Sequence, residues 1–120
     1  MNSVFYYVLT ESDLSNAIGR PVYFNASGQL KYTTSTDDLT VGIIIDVNPD
    51  NSTVCVGMLR QVLKCLAKDN FTPTIGGQVL LSKLYNVTAG TELGMLGYAI
   101  STKDNDGFVQ VLTGYFNRYF

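Results

Sequence analysis

The chain has 120 residues, 46% of them hydrophobic and only 15% charged, with a net charge of −2 and a pI of about 4.8. That length fits one domain with a core of its own. The singly scattered Lys and Arg lack the clustering that draws affinity from nucleic-acid phosphates, and no apolar run approaches the roughly 18 residues of a membrane span.

Nearly every segment reads as a strand bounded by turn residues. Val4-Phe5-Tyr6-Tyr7-Val8-Leu9 is a β-prone start. Residues 11–18 predict a helical turn or two, with Thr10 as cap and Gly19 as stop. Pro21-Val22-Tyr23-Phe24 and Gln29-Leu30-Lys31-Tyr32 flank the Gly-bearing turn Asn25-Ala26-Ser27-Gly28 as a hairpin. After a polar loop at 33–40, the β-branched run Val41-Gly42-Ile43-Ile44-Ile45-Asp46-Val47 predicts a strand buried on both faces. The turn Asn48-Pro49-Asp50-Asn51 leads to strands at 53–58 and 61–66. In the second half, strands are expected at 78–82, 96–100 and 108–112. A short hairpin partner is expected at 83–87, and a turn at Asp106-Gly107.

An internal repeat orders these elements. Ile18-Gly19-Arg20-Pro21-Val22-Tyr23-Phe24 matches Ile75-Gly76-Gly77-Gln78-Val79-Leu80-Leu81, and Val41 to Asp46 matches Leu96 to Ser101. Thr53-Val54-Cys55-Val56-Gly57 then matches Phe108-Val109-Gln110-Val111-Leu112. The expected fold is therefore all-β, a compact β-barrel-like or β-sandwich-like single domain built from two pseudo-repeats at about 18–60 and 75–112. Residues 1–17 form an N-terminal arm with the short helix or turn, and residues 113–120 an aromatic tail. Two copies would build one closed or nearly closed barrel, which removes exposed edges.

The residue inventory points away from catalysis. With no histidine in the sequence, mechanisms built on an imidazole base are excluded. Asp37-Asp38, Asp46 and Asp104-Asn105-Asp106 sit where solvated turn formers belong. Cys55 and Cys65 lie in apolar runs and read as buried thiols, and two cysteines without histidine make a poor zinc site. No catalytic residue, metal ligand or cofactor is expected. The sequons at Asn25, Asn51 and Asn86 read as turn residues. The first residues lack the basic start, apolar stretch and cleavage site of a secretory signal.

The ordered motifs Gly19 to Val22, Val41 to Ile44, Val54 to Val56, Gly76 to Val79, Gly97 to Ala99 and Val109 to Val111 resemble those of the small capsid decoration, or cement, proteins of tailed bacteriophages. The likeness covers residues 18–112, and both chain ends depart from it. It implies a non-enzymatic structural virion protein, commonly a homotrimer, made in the host cytoplasm and seated on the outer face of the capsid. There it would bridge neighbouring major capsid proteins against the pressure of packaged DNA, without a cofactor, a membrane or a nucleic-acid partner.

Protein–protein binding would fall to the chain ends. Val4, Phe5, Tyr6 and Tyr7 could add a strand to a neighbouring sheet, or pair inside their own domain as an ordinary edge strand. Tyr115, Phe116, Arg118, Tyr119 and Phe120 concentrate residue types typical of binding hot spots. They could dock on a partner or on their own barrel. The competing reading is a carbohydrate- or protein-binding module at the base of a head fibre or tail appendage. An OB-like nucleic-acid binder is disfavoured by the acidic pI.

Overall fold

The computed structural model describes residues 3–114. Among these residues are nine strands: β1 (Val4–Val8), β2 (Pro21–Phe24), β3 (Leu30–Tyr32), β4 (Thr40–Asn48), β5 (Thr53–Met58), β6 (Val62–Leu66), β7 (Gln78–Leu80), β8 (Met95–Ala99) and β9 (Phe108–Thr113). They form two antiparallel sheets, ordered β1-β5-β4-β2-β3 and β6-β9-β8-β7. The architecture is all-β and sandwich-like.

The two sheets are copies of one plan. β1-β5-β4-β2 and β6-β9-β8-β7 place matching strands in matching order, and the registers agree pair by pair. Val4 opposes Gly57 as Val62 opposes Leu112, and Ile44 opposes Val56 as Ala99 opposes Val111. Val22 opposes Gly42 as Val79 opposes Gly97, with a bulge at the next residue in both sheets. Loop bonds repeat too: Gly19 N–H donates to Ile44 O at 2.8 Å and Gly76 N–H to Ala99 O at 2.7 Å. The repeat therefore begins at β1 and β6, upstream of the boundary expected from the sequence, and the presumed arm supplies a strand of the first sheet.

Close backbone approach explains why glycine recurs at one point of this plan. A Cβ on Gly42 would collide with the carbonyl oxygen of Gly57, and a Cβ on Gly97 with that of Leu112. These two carbonyls are themselves repeat mates. The obstacle is backbone, which cannot swing aside as a side chain can.

Each copy builds a core of its own, the second also taking in Ile43 of β4. Val22, Ile44, Val54 and Val56 face Leu9, Ala17 and Leu30 in one. In the other, Val79, Ala99, Val109 and Val111 face Leu63, Ala67 and Leu84. The connecting segment covers the cup in each case, with Leu14 packed on the first core and Phe71 on the second. Each fully buried Val or Leu contributes roughly 1.5–3 kcal/mol, so the stabilisation is divided between two small cores.

Several expectations are corrected. The two copies do not merge into one barrel. Each sheet curls until its end meets its first strand region through one isolated bridge, Leu9–Leu30 or Ala67–Leu84, and no continuous ladder closes. Of the helix or turn expected at residues 11–18 the chain takes the turn, because Asp13 Oδ1 takes both the N–H (2.9 Å) and the hydroxyl (2.6 Å) of Ser15. Such local bonds compete with a helical ladder. The expected strand at 83–87 does not form: the 3-10 turn Leu81–Lys83 runs into its start, Leu84 makes only an isolated bridge with Ala67, and residues 85–86 are a turn. β4 is buried on both faces only as far as Ile44. It becomes exposed from Ile45, past a register shift between Ile44 and Asp46. Thr113, the first residue of the expected tail, is the buried end of β9.

Candidate interaction surface

The ladder gives β1 one paired and one open edge. Its residues Val4 to Val8 oppose Gly57 to Thr53 on β5, and β1 is the outermost strand of its sheet. It is thus an edge strand of its own domain, and among the described residues no strand pairs with its second edge.

The alternation of β1 separates the four binding residues expected there. Phe5 and Tyr7 turn to the concave side and meet Phe24. The Phe5 and Phe24 rings stack at 6.1 Å, and Tyr7 stands edge-on to Phe24 at 5.1 Å. The Tyr7 hydroxyl donates to Gly28 O at 3.3 Å. Val4 and Tyr6 point the other way and are 40% and 70% exposed, followed on the same face by Val8 at 54%. A hydrogen bond with Cys55 holds the Tyr6 hydroxyl above its ordinary pKa. The remaining expected residues, Tyr115, Phe116, Arg118, Tyr119 and Phe120, lie outside the described residues.

The joint between the repeats is built from segments far apart in the sequence. Arg20 is buried, with its guanidinium 3.5 Å from the Tyr32 ring centre and 5.2 Å from that of Tyr85. Tyr32 belongs to the first copy and Tyr85 to the second. Burial lowers the Arg20 pKa, and among the described residues its Nε has no hydrogen-bond partner. Nothing in the sequence around Arg20 marks this role, since both rings come from other segments.

A second joint is polar. The Thr36 hydroxyl donates to Glu92 O at 2.9 Å and accepts from Gly90 N–H at 2.7 Å. Asp37 Oδ1 accepts from the Thr91 hydroxyl at 3.0 Å and from Glu92 N–H at 2.7 Å. Asp38 accepts the N–H groups of Thr34 and Ser35. The acidic pair thus organises loops. The sequon asparagines also serve turns: Asn25 accepts from Ser27 and Gln29, Asn51 accepts from Thr53, and Asn86 takes a positive φ of 61°.

Both cysteines are free and buried, and burial pushes the Cys65 thiol far up. Among the described residues, no three His, Cys, Asp or Glu side chains gather in a metal-binding group. A cavity of about 250 Å³ lies between the copies, lined by Ile18, Val47, Leu66 and Phe108 among others. What the surface offers chemically is a strand edge unpaired among the described residues, with apolar side chains beside it. No known family model matches the chain, and no curated protein does.

Proposed function

We propose that the chain is a structural virion protein that binds the outer face of a phage capsid. It stabilises the shell, as a homotrimer, by bridging neighbouring major capsid proteins. The observation that carries this reading is the placement of the six motifs behind the family resemblance. They fall on or beside β2, β4, β5, β7, β8 and β9, as three pairs of repeat mates. The outward side chains Val4 and Tyr6 of the edge strand β1, 40% and 70% exposed, support it as apolar contacts for a partner. So does a surface poor in charge, with exposed Leu39, Ile75 and Leu93. The function needs no reaction centre, only a rigid double sheet that presents edges and apolar side chains.

Co-sedimentation with undecorated shells of the phage that encodes the protein tests this reading. The intact chain is expected to pellet with shells and to raise the temperature at which they break. Deleting residues 115–120 should weaken pelleting while β9, which ends at Thr113, stays folded. An intact chain that stays in the supernatant at saturating concentration would refute the capsid reading.

A further inference from the structure

The two copies touch through unlike surfaces. The first copy presents Gly19, whose carbonyl accepts from Leu66 N–H at 2.9 Å. A Cβ on Gly19 would lie 2.6 Å from that nitrogen and 2.7 Å from the Phe108 ring. The second copy presents the end of β6 and the start of β9. Because the copies share one plan, each surface exists twice in the chain, and this contact uses one of each.

The unused surfaces are open and apolar. Gly76 is the repeat mate of Gly19 and shares its backbone, φ +85° against +89°, yet among the described residues nothing lies within 4 Å of a Cβ placed on it. Its neighbour Ile75 is 64% exposed, against 41% for the mate Ile18, and Ile100 is 46% exposed. On the complementary side, Val8 is the mate of Leu66 and is 54% exposed. Leu9 N–H bonds Ser52 O and Met58 N–H bonds Ser3 O. The antiparallel alternation therefore turns the backbone groups of Val8 to the open edge. Leu66 is turned the same way, toward Gly19 and Tyr85. A groove of about 610 Å³ runs beside Val8, Asn51 and Ser52, the mates of Leu66, Asp106 and Gly107.

We infer that copies of this chain join head to tail. The Ile75–Gly76 surface of one chain seats on the Val8–Thr53 edge of the next, repeating between chains the contact that Gly19 makes with Leu66 within one. A contact between unlike surfaces leaves a free copy of each at the two ends of any open array. Only a ring satisfies them all, and failing closure the array grows as a filament. Two repeats per chain put six in a trimeric ring. The joining is a property of the purified chain and is independent of capsid binding.

Cross-linking tests it. Val8→Cys and Ile75→Cys variants are co-expressed with different tags and treated with a short bismaleimide, the native cysteines being buried. Linked pairs carrying both tags are expected, and neither variant alone should link to itself. In parallel, Ile75→Asp should reduce the light-scattering mass from a multiple of the chain to its 13.2 kDa, with the near-ultraviolet circular dichroism unchanged. Val8→Asp attacks the same contact from the other surface should Ile75→Asp fail to fold. Three results would overturn the inference: a monomeric wild-type chain at high concentration, Val8→Cys linking to itself, or a co-expressed pair that does not link.

Discussion

The guanidinium of Arg20 lies over the ring of Tyr32, 3.5 Å from its centre, and within 5.2 Å of the centre of the Tyr85 ring. One cation thereby touches an aromatic from each repeat at the seam where Gly19 meets Leu66. Its repeat mate is Gly77, which has no side chain to offer, so the seam is specific to the first copy.

Arg20 contributes through both its charge over the rings and its buried stem. Arg20→Ala should lower unfolding stability by about 2 kcal/mol. Arg20→Met keeps the volume and removes a charge whose Nε is unpaired, and it should stay within about 1.5 kcal/mol of the parent. Urea midpoints of the two variants decide. Equal losses would show that the charge, and not the packing, holds the seam.

Gly97→Ala should be among the most harmful single-methyl changes, because the added carbon meets the carbonyl of Leu112. A loss of about 3 kcal/mol is expected, at the upper end for overpacking, and Gly42→Ala should match it through Gly57. Gly28 has φ +78° with open space around it, so Gly28→Ala should cost only about 1 kcal/mol for left-handed backbone. If Gly97→Ala unfolds at the same urea concentration as Gly28→Ala, the close approach is not a constraint.

Much of this plan was legible in the sequence, and the gaps have physical reasons. Gly-bearing strands such as 41–44 and 96–99 betray the repeat because backbone contact permits no substitute. β1 and β6 escaped notice as mates because their outward residues differ in kind, Tyr6 against Lys64, so their polar patterns do not match. Leu80 and Leu81 read as one strand, yet the 3-10 turn begins at Leu81, where burial of the leucine leaves the backbone path undetermined. Thr10 and Gly19 read as the cap and stop of a short helix or turn, and the bond between Asp13 and Ser15 settles the segment as a turn. The Arg20 seam depends on contacts between distant segments, which no local pattern encodes.

Acid should destabilise the fold, with a turn carboxylate as one identifiable source. Asp104 Oδ1 accepts the N–H groups of Phe108 and Asp106, each at 2.9 Å, and the bond to Phe108 chiefly holds its pKa below the usual 3.8. Asp13 is lowered in the same way by Ser15. A carboxyl depressed in the folded state adds stability above its unfolded pKa and loses it as pH falls through the folded one. The urea midpoint should therefore drop below about pH 4. Asp104→Asn, which keeps an acceptor without the titration, should flatten part of that drop. An unchanged slope would remove Asp104 from the account.

Thiol labelling can show whether the two cores stand or fall together. Cys55 lies in β5 of the first sheet and Cys65 in β6 of the second, both buried. The reactive species is the thiolate. Burial both raises the Cys65 pKa and blocks access, so Cys65 should label only when its half opens. The halves are coupled by the Gly19–Leu66 bond, by Arg20, by the loop bonds of Thr36 and Asp37, and by Ile43, a β4 residue that sits in the second core. Each half alone is in the size range where burial barely offsets chain entropy. Both cysteines are therefore expected to become reactive at one urea midpoint, coincident with loss of circular dichroism. Cys55 labelling at lower urea, with Cys65 still protected, would mean that the second sheet holds its fold without the first. The seam would then be a contact between two independent units.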